Sequence, residues 1–322
     1  MIYDCFSFFN ELDLLEIRLA TLDRVVDRFV ISESNFTHRG IAKPLYYKDN
    51  ESRFAKFRSK IIHVVSPDPE DPERAKSDVE YGWICENRQR NATILAIEKE
   101  LRDDDILIVS DLDEIPDPQS VLKAAKCNRP VRLRQKLYCF FLNYRCCTTP
   151  YWYTGSVVLP YSVFRDLATY RRLCDGPAFD SAENESPTAT KVRALRDITV
   201  IRDGGWHFSY IGGIKKVLEK INSIVDGNDA VLIDEASIRK CIASGNDIYG
   251  RGEWFFAEKI DASFPEAARK FQQLIFPVDE NYLRAVRVKK IAAYLKWRVR
   301  PLAWRLLPHG VAVWLSKRFS KI

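Results

Sequence analysis

A chain of 322 residues, 46% hydrophobic and 29% charged, is long enough to bury a full core and too mixed in composition to be fibrous or disordered. No stretch approaches about 18 uninterrupted apolar residues, which argues against a membrane span, and the strand-like opening at 2–6 predicts no signal peptide. The formal net charge of +6 is lopsided: no acid follows Glu280, while 11 Lys and Arg lie between Arg284 and Lys321, which leaves −5 for residues 1–283 and excludes a generally basic, nucleic-acid-binding body.

The first strand is predicted at residues 2–6. Leu14, Leu15, Ile17, Leu19 and Leu22 then recur on a roughly helical period, and residues 27–33 form a second strand with Glu33, Ser34 and Asn35 at its exit. Strand, helix and strand with a short connection begin a parallel sheet. His38 falls in a polar loop as a surface residue. A short helix at 49–58, a strand at 60–65 and a solvated loop at 66–76 follow. A long helix is predicted over 77–100, with Trp83, Ile84, Ile94, Leu95 and Ile97 as its apolar surface. On it Asn87 and Asn91 form a polar seam, facing either a cavity or solvent, and Glu86 and Arg90 an i,i+4 ion pair.

The stretch at 105–116 carries the main chemical signal. The apolar run Ile106-Leu107-Ile108-Val109 ends in Asp111, Asp113 and Glu114. A period of two puts Asp111 and Asp113 on one side of the extending backbone. Neighbouring carboxylates repel unless positive charge lies between them, and a hard divalent cation is the usual answer. The competing reading is an ordinary strand exit with solvated acids.

Further along, a helix is predicted at 118–126 and a strand at 131–137. Tyr151, Trp152 and Tyr153 suit either sugar stacking or core packing. Residues 175–190, with Asp175, Asp180, Glu183 and Glu185, read as a surface loop or a lid. A strand at 198–201 runs into Asp203-Gly204-Gly205-Trp206-His207, where paired glycines imply a tight backbone and His207 is a candidate metal ligand, acid or base. Helices are predicted at 214–225 and 234–243. The glycine-rich stretch 245–252 lacks P-loop spacing, but its Arg251 suits a phosphate as well as a surface turn. From about 284 the chain alternates basic with apolar residues, which fits a helix on an anionic membrane surface or one docked by its apolar stripe. The eight scattered cysteines form no C-x-x-C pair and read as reduced thiols of a cytoplasmic protein.

Several of these stretches, in order, resemble glycosyltransferase family 17. They are residues 3–19, Phe29-Val30-Ile31-Ser32-Glu33-Ser34, Lys43-Pro44-Leu45-Tyr46, Lys60-Ile61-Ile62-His63-Val64, Glu86-Asn87-Arg88-Gln89-Arg90-Asn91, Ser110-Asp111-Leu112-Asp113-Glu114-Ile115-Pro116 and Gly205-Trp206-His207-Phe208-Ser209-Tyr210. The resemblance covers residues 3 to 255. It implies an α/β, GT-A-like, Rossmann-type nucleotide-sugar fold with a mostly parallel sheet over 1–255, followed by a helical extension over 256–322. It also implies an inverting transfer from a UDP-sugar, foremost UDP-N-acetylglucosamine, to a glycan, with Mn²⁺ or Mg²⁺ on the donor diphosphate; the basic, aromatic tail would suit a lipid-linked glycan as acceptor. Asp111 and Asp113 become the Asp-x-Asp pair, with His207 as a further metal or diphosphate contact and Glu33 and Asn35 near the nucleoside. Arg88, Asn91 and Arg251 are candidate donor contacts, and Arg90 a further source of positive charge. Asp203 is the first candidate for the base, followed by Asp247 and Glu114. The expected location is cytoplasmic, peripheral on the inner face of the membrane. The competing classes are a metal-dependent nucleotide-sugar or phosphoester hydrolase and a glycan-binding protein without catalysis.

Overall fold

The structure, a computed structural model, describes residues 1–152, 154–165, 198–224 and 233–284. Tyr153, the acidic loop at 175–190 and the basic tail from 285 lie outside the described residues. The chain forms two compact units, Met1–Phe276 and Pro277–Ile322. In the second, the chain enters a helix at 280, where Asp279 accepts from the Tyr282 N–H (2.6 Å).

The first unit is α/β. Its opening strands β1 (Ile2–Ser7), β2 (Arg28–Glu33), β3 (Ile61–Val65) and β4 (Ile106–Asp111) are parallel, in spatial order β3-β2-β1-β4. Parallel neighbours need crossovers. Helix α1 (Leu12–Leu22) joins β1 to β2, α2 (Tyr46–Asp49) and a 3-10 turn (Glu51–Phe57) precede β3, and α3 (Pro72–Ser77) and α4 (Val79–Leu95) precede β4. Strand alternation sends Phe6 and Ile108 into a core with Leu14, Leu15 and Ile17 of α1. Cys5, Leu107 and Val109 point the other way, into a core with Ile94 of α4.

The helix expected over 77–100 is the shorter α4, and α3 occupies the end of the stretch expected as a solvated loop. Asp71 caps α3 through the Arg74 N–H (2.9 Å), and Asp78 ends that helix and caps α4 through the Tyr81 N–H (3.1 Å). The buried stripe of α4 is Tyr81, Cys85, Gln89 and Ala92, whereas Trp83, Ile84 and Leu95, expected as apolar contact surface, are exposed.

The chain continues through β5 (Glu114–Pro116), α5 (Pro118–Ala124), β6 (Val131–Leu133), β7 (Lys136–Cys139), β8 (Tyr144–Cys146), β9 (Ser156–Pro160), α6 (Tyr161–Arg165) and β10 (Thr199–Ile201). Then come β11 (Gly205–Ser209), α7 (Ile214–Ser223), α8 (Glu235–Ser244) and β12 (Phe255–Ala257). The seven-stranded sheet has order β10-β6-β9-β4-β1-β2-β3, and a five-stranded sheet has order β12-β8-β7-β11-β5. Both are mixed, where the expectation was a mostly parallel sheet: β9 runs antiparallel to its neighbours β4 and β6. The described residues of the link 147–155 include no helical crossover to turn the chain round, and β9 returns antiparallel from the second sheet.

In the second sheet β5 pairs antiparallel with β11, so Glu114 lies opposite His207 and Pro116 opposite Gly205. Gly205 has φ +142°, and a Cβ there would overlap the Ile115 carbonyl oxygen. Gly205→Ala is therefore expected to cost more than the roughly 1–3 kcal/mol of an unfavourable backbone conformation alone. Urea unfolding should show a lower midpoint at unchanged slope, and an unshifted midpoint would mean that the β5–β11 pairing yields to accommodate a side chain.

Candidate active site

The strand order reverses between β1 and β4: the crossover from β1 leads to β2 on one side, while β4 lies on the other. Ligands in open α/β sheets bind outside the carboxyl ends of the strands at such a switch point. Ser7 and Asp111, the last residues of β1 and β4, are register partners there. A cleft of about 450 Å³ opens at this end, within the range of small-molecule sites. Its walls come from Phe8, Phe9 and Glu11 after β1, Asp111 to Asp113 after β4, β11 with α7, and the stretch 247–255.

The turn after β4 is held from beneath by Arg18 of α1, which is fully buried. Its guanidinium donates to both carboxylate oxygens of Asp4 (2.6 and 2.8 Å) and to Ser110 Oγ (2.6 Å). It also donates to the carbonyls of Asp111 (2.8 Å), Leu112 (3.1 Å) and Glu114 (2.9 Å). The alternation that points Phe6 and Ile108 toward α1 points Asp4 and Ser110 the same way, which is why one arginine reaches both strands. Glu114 closes the turn from the other side. It accepts from the Asp111 N–H (3.1 Å), Trp152 Nε1 (2.7 Å) and Thr154 Oγ1 (3.4 Å).

The two aspartates part company. Asp111, on the α4 side of β4, meets Arg90 (3.1 Å), which is also paired with Glu86 (2.5 Å). Asp113 is more deeply buried and meets Lys220 of α7 (2.8 Å) and His207 Nε2 (3.5 Å). Lys220 bridges to Glu11 (3.0 Å). Burial opposes the charge on Asp113, Lys220 and Arg90, but pairing wins. Lys220 and then His207 hold the Asp113 carboxyl well below the usual range. Asp113 and Glu11 hold the Lys220 ammonium above its usual range, and Asp111 and Glu86 do the same for Arg90.

Of the residues expected at the site, the cleft brings together Arg90, Asp111, Asp113, His207, Asp247 and Arg251. Glu33, Asn35, Arg88, Asn91, Glu114 and Asp203 are not among its lining. Glu33 is fully buried, accepting from the Tyr47 N–H (2.8 Å) and meeting His63 Nε2 (2.9 Å), while Asn35 donates to Asp68 (3.2 Å). Arg88 pairs with Glu70 (3.0 Å) at the surface. Asp203 sits at φ +54°, is 57% exposed and accepts from the Tyr151 hydroxyl (2.9 Å). Trp152 turns its indole N–H to Glu114 and packs edge-on against His207 at 4.6 Å, so this residue braces the site as well as lining it. His38, expected as a surface residue, lines the cleft and meets Gln89 (2.8 Å). Sequence reasoning missed Lys220, Glu11, Arg18 and Glu253. Only Arg18 left a readable trace, as a charge on the apolar stripe between Leu14 and Leu22.

The family model of glycosyltransferase family 17 matches residues 1–164, the stretch that contains β1 to β4 and the Asp111–Asp113 turn. Beta-1,4-mannosyl-glycoprotein 4-beta-N-acetylglucosaminyltransferase of Homo sapiens is 36% identical over 120 residues, 35% of this chain and 21% of that protein. The Rattus norvegicus protein of the same name is 36% identical, and the Mus musculus one 35%, over the same shares. The match thus spans about a fifth of the length of these curated relatives. With half of its length matched by the family model, the chain belongs to glycosyltransferase family 17.

Proposed function

We propose that this protein is an inverting glycosyltransferase that moves N-acetylglucosamine from UDP-N-acetylglucosamine in β linkage onto a glycan, on a GT-A-type nucleotide-sugar domain. The observation that carries the reading is the Asp111–Asp113 turn at the β1/β4 switch point, opening on a cleft large enough for a nucleotide-sugar. The donor sugar follows the relatives' name, and a mannosyl residue is the acceptor that name suggests.

The lining fits a divalent cation. Six acids (Glu11, Glu86, Asp111, Asp113, Asp247 and Glu253) face four cationic side chains (Lys43, Arg90, Lys220 and Arg251), a net −2 before any diphosphate arrives. Asp111 and Asp113 would hold Mg²⁺ or Mn²⁺ together with diphosphate oxygens. Among the described residues no three acidic, His or Cys side chains gather as a ready site, so the donor has to complete the coordination. Such an ion supplies neutralisation of the charge that develops on the departing diphosphate. Arg90 and Lys220, held charged by their carboxylate partners, add fixed positive charge beside the same two aspartates. The acceptor oxygen then displaces UDP in one step, which needs a single base on the face opposite the leaving group.

Calorimetric titration with UDP-N-acetylglucosamine, UDP-glucose and UDP-galactose, each with and without Mn²⁺, tests the reading. The expected result is tightest binding of the N-acetylglucosamine donor, strengthened by metal about tenfold or more, roughly 1.4 kcal/mol. Absence of binding by all three would remove the transferase reading.

A further inference from the structure

Resting on that reading, we propose that Glu253 is the catalytic base. As the acceptor oxygen bonds to the anomeric carbon, Glu253 takes the hydroxyl proton. The C1–O bond to the diphosphate breaks at the same time, and its electron pair leaves with UDP.

The loop before β12 presents this side chain. Gly245 ends α8 in the left-handed region (φ +77°), and Asp247 then ties the loop into a ring. Its carboxylate accepts from the N–H groups of Tyr249 (2.7 Å) and Glu253 (3.2 Å), and its own N–H donates to the Glu253 carbonyl (3.2 Å). Both Asp247 oxygens are thus engaged in closing the loop, while Glu253 lies half-buried in the cleft wall at the far end of the ring.

Among the described residues, the other cleft acids are committed to cations: Glu11 and Asp113 to Lys220, Glu86 and Asp111 to Arg90. Glu114 braces the turn and Asp203 lies outside the cleft. The groups facing Glu253 are Thr149 from the β8–β9 link, Cys146 of β8, Cys139 of β7, and Asp247 and Arg251 of its own loop. Burial first, and then Asp247, push the Glu253 carboxyl up, against the Thr149 hydrogen bond and Arg251. A base poised closer to neutral pH is what proton transfer in the transition state favours. Glu253 and Lys220 line the same cleft, so the base and the diphosphate-side cation share its walls.

The test is Glu253→Gln, near-isosteric and relieved of repulsion from Asp247, so its thermal midpoint should not fall. UDP affinity in Mn²⁺ should stay within about threefold of wild type. UDP release from UDP-N-acetylglucosamine, with methyl β-mannoside as acceptor probe, should drop about 100-fold or more. The wild-type rate should fall on the acid side as Glu253 protonates, at a pH above the ordinary Glu range, and the residual rate of Glu253→Gln should lack that limb. Glu253→Asp should recover part of the rate and restore the limb. Near-wild-type turnover in Glu253→Gln overturns the assignment, as does an unchanged acid limb or a parallel loss of UDP binding. Wild-type protein that binds no UDP-sugar and releases no UDP defeats the transferase reading instead, and the assignment falls with it.

Discussion

Arg18→Met is expected to destabilise the protein by about 3–5 kcal/mol, the range for stripping one partner from a buried ion pair. Asp4 is fully buried, so its carboxylate would keep its desolvation cost and lose its bidentate partner. The carbonyls of Asp111, Leu112 and Glu114 would lose a donor together, at roughly 1–3 kcal/mol for each group left unsatisfied. Arg18→Lys should do little better, because a single ammonium cannot reproduce a planar fork spread over two strands and a turn. The double variant Asp4→Leu/Arg18→Met separates the contributions. Replacing a whole buried pair by apolar residues is often close to neutral. A double variant that stays destabilised therefore isolates the share due to the turn carbonyls. Urea midpoints at constant slope are the readout. A shift under about 1 kcal/mol in the single variant would mean that water reaches the network.

This network also shows where sequence reasoning succeeds and where it stops. The strands expected at 2–6, 27–33 and 60–65 and the carboxylate strand match β1 to β4 closely, because burial between two helical layers demands continuous apolar runs. Strand β9 was not legible: Ser156–Pro160 is buried throughout and has no alternation to separate a short strand from a piece of helix. Asp111 and Asp113 were visible as an abrupt change from apolar to acidic. Their partners were not, since Lys220 is 107 residues from Asp113 and is one of three lysines on the same helix. Asp203 drew attention through its glycine neighbours. The tight turn is real, but it serves the entry into β11, and the side chain points to Tyr151 instead of the cleft. Glu253 lay in the right loop beside Arg251 with no local pattern to single it out. Periodicity records which face is buried, and says nothing of which distant charges share a cleft.

At the proposed diphosphate site, Asp113→Asn is expected to have opposite consequences for donor binding with and without metal. In Mn²⁺ the variant should lose about 100-fold or more in UDP affinity, some 2.7 kcal/mol, because one of two carboxylates that would hold the ion is gone. In EDTA the affinity should hold or rise. The net negative cleft becomes less negative by one, and Lys220, left with Glu11 alone, can turn to phosphate. Equal weakening in both conditions would point to a misfolded turn and remove the metal role. The same substitution has a pH signature that needs no ligand. The folded Asp113 carboxyl lies well below its unfolded value of about 3.9. Below that value the unfolded chain binds the proton and the folded one does not, so stability rises with pH there. The contribution of Asp113 is therefore complete above the unfolded pKa and is lost as pH falls beneath it. Unfolding free energies of wild type and Asp113→Asn should converge as pH drops from about 5 toward 3. Curves that stay parallel would show that Lys220 and His207 do not hold the charge on Asp113, and the electrostatic frame of the site would have to be redrawn around Arg90 and Asp111.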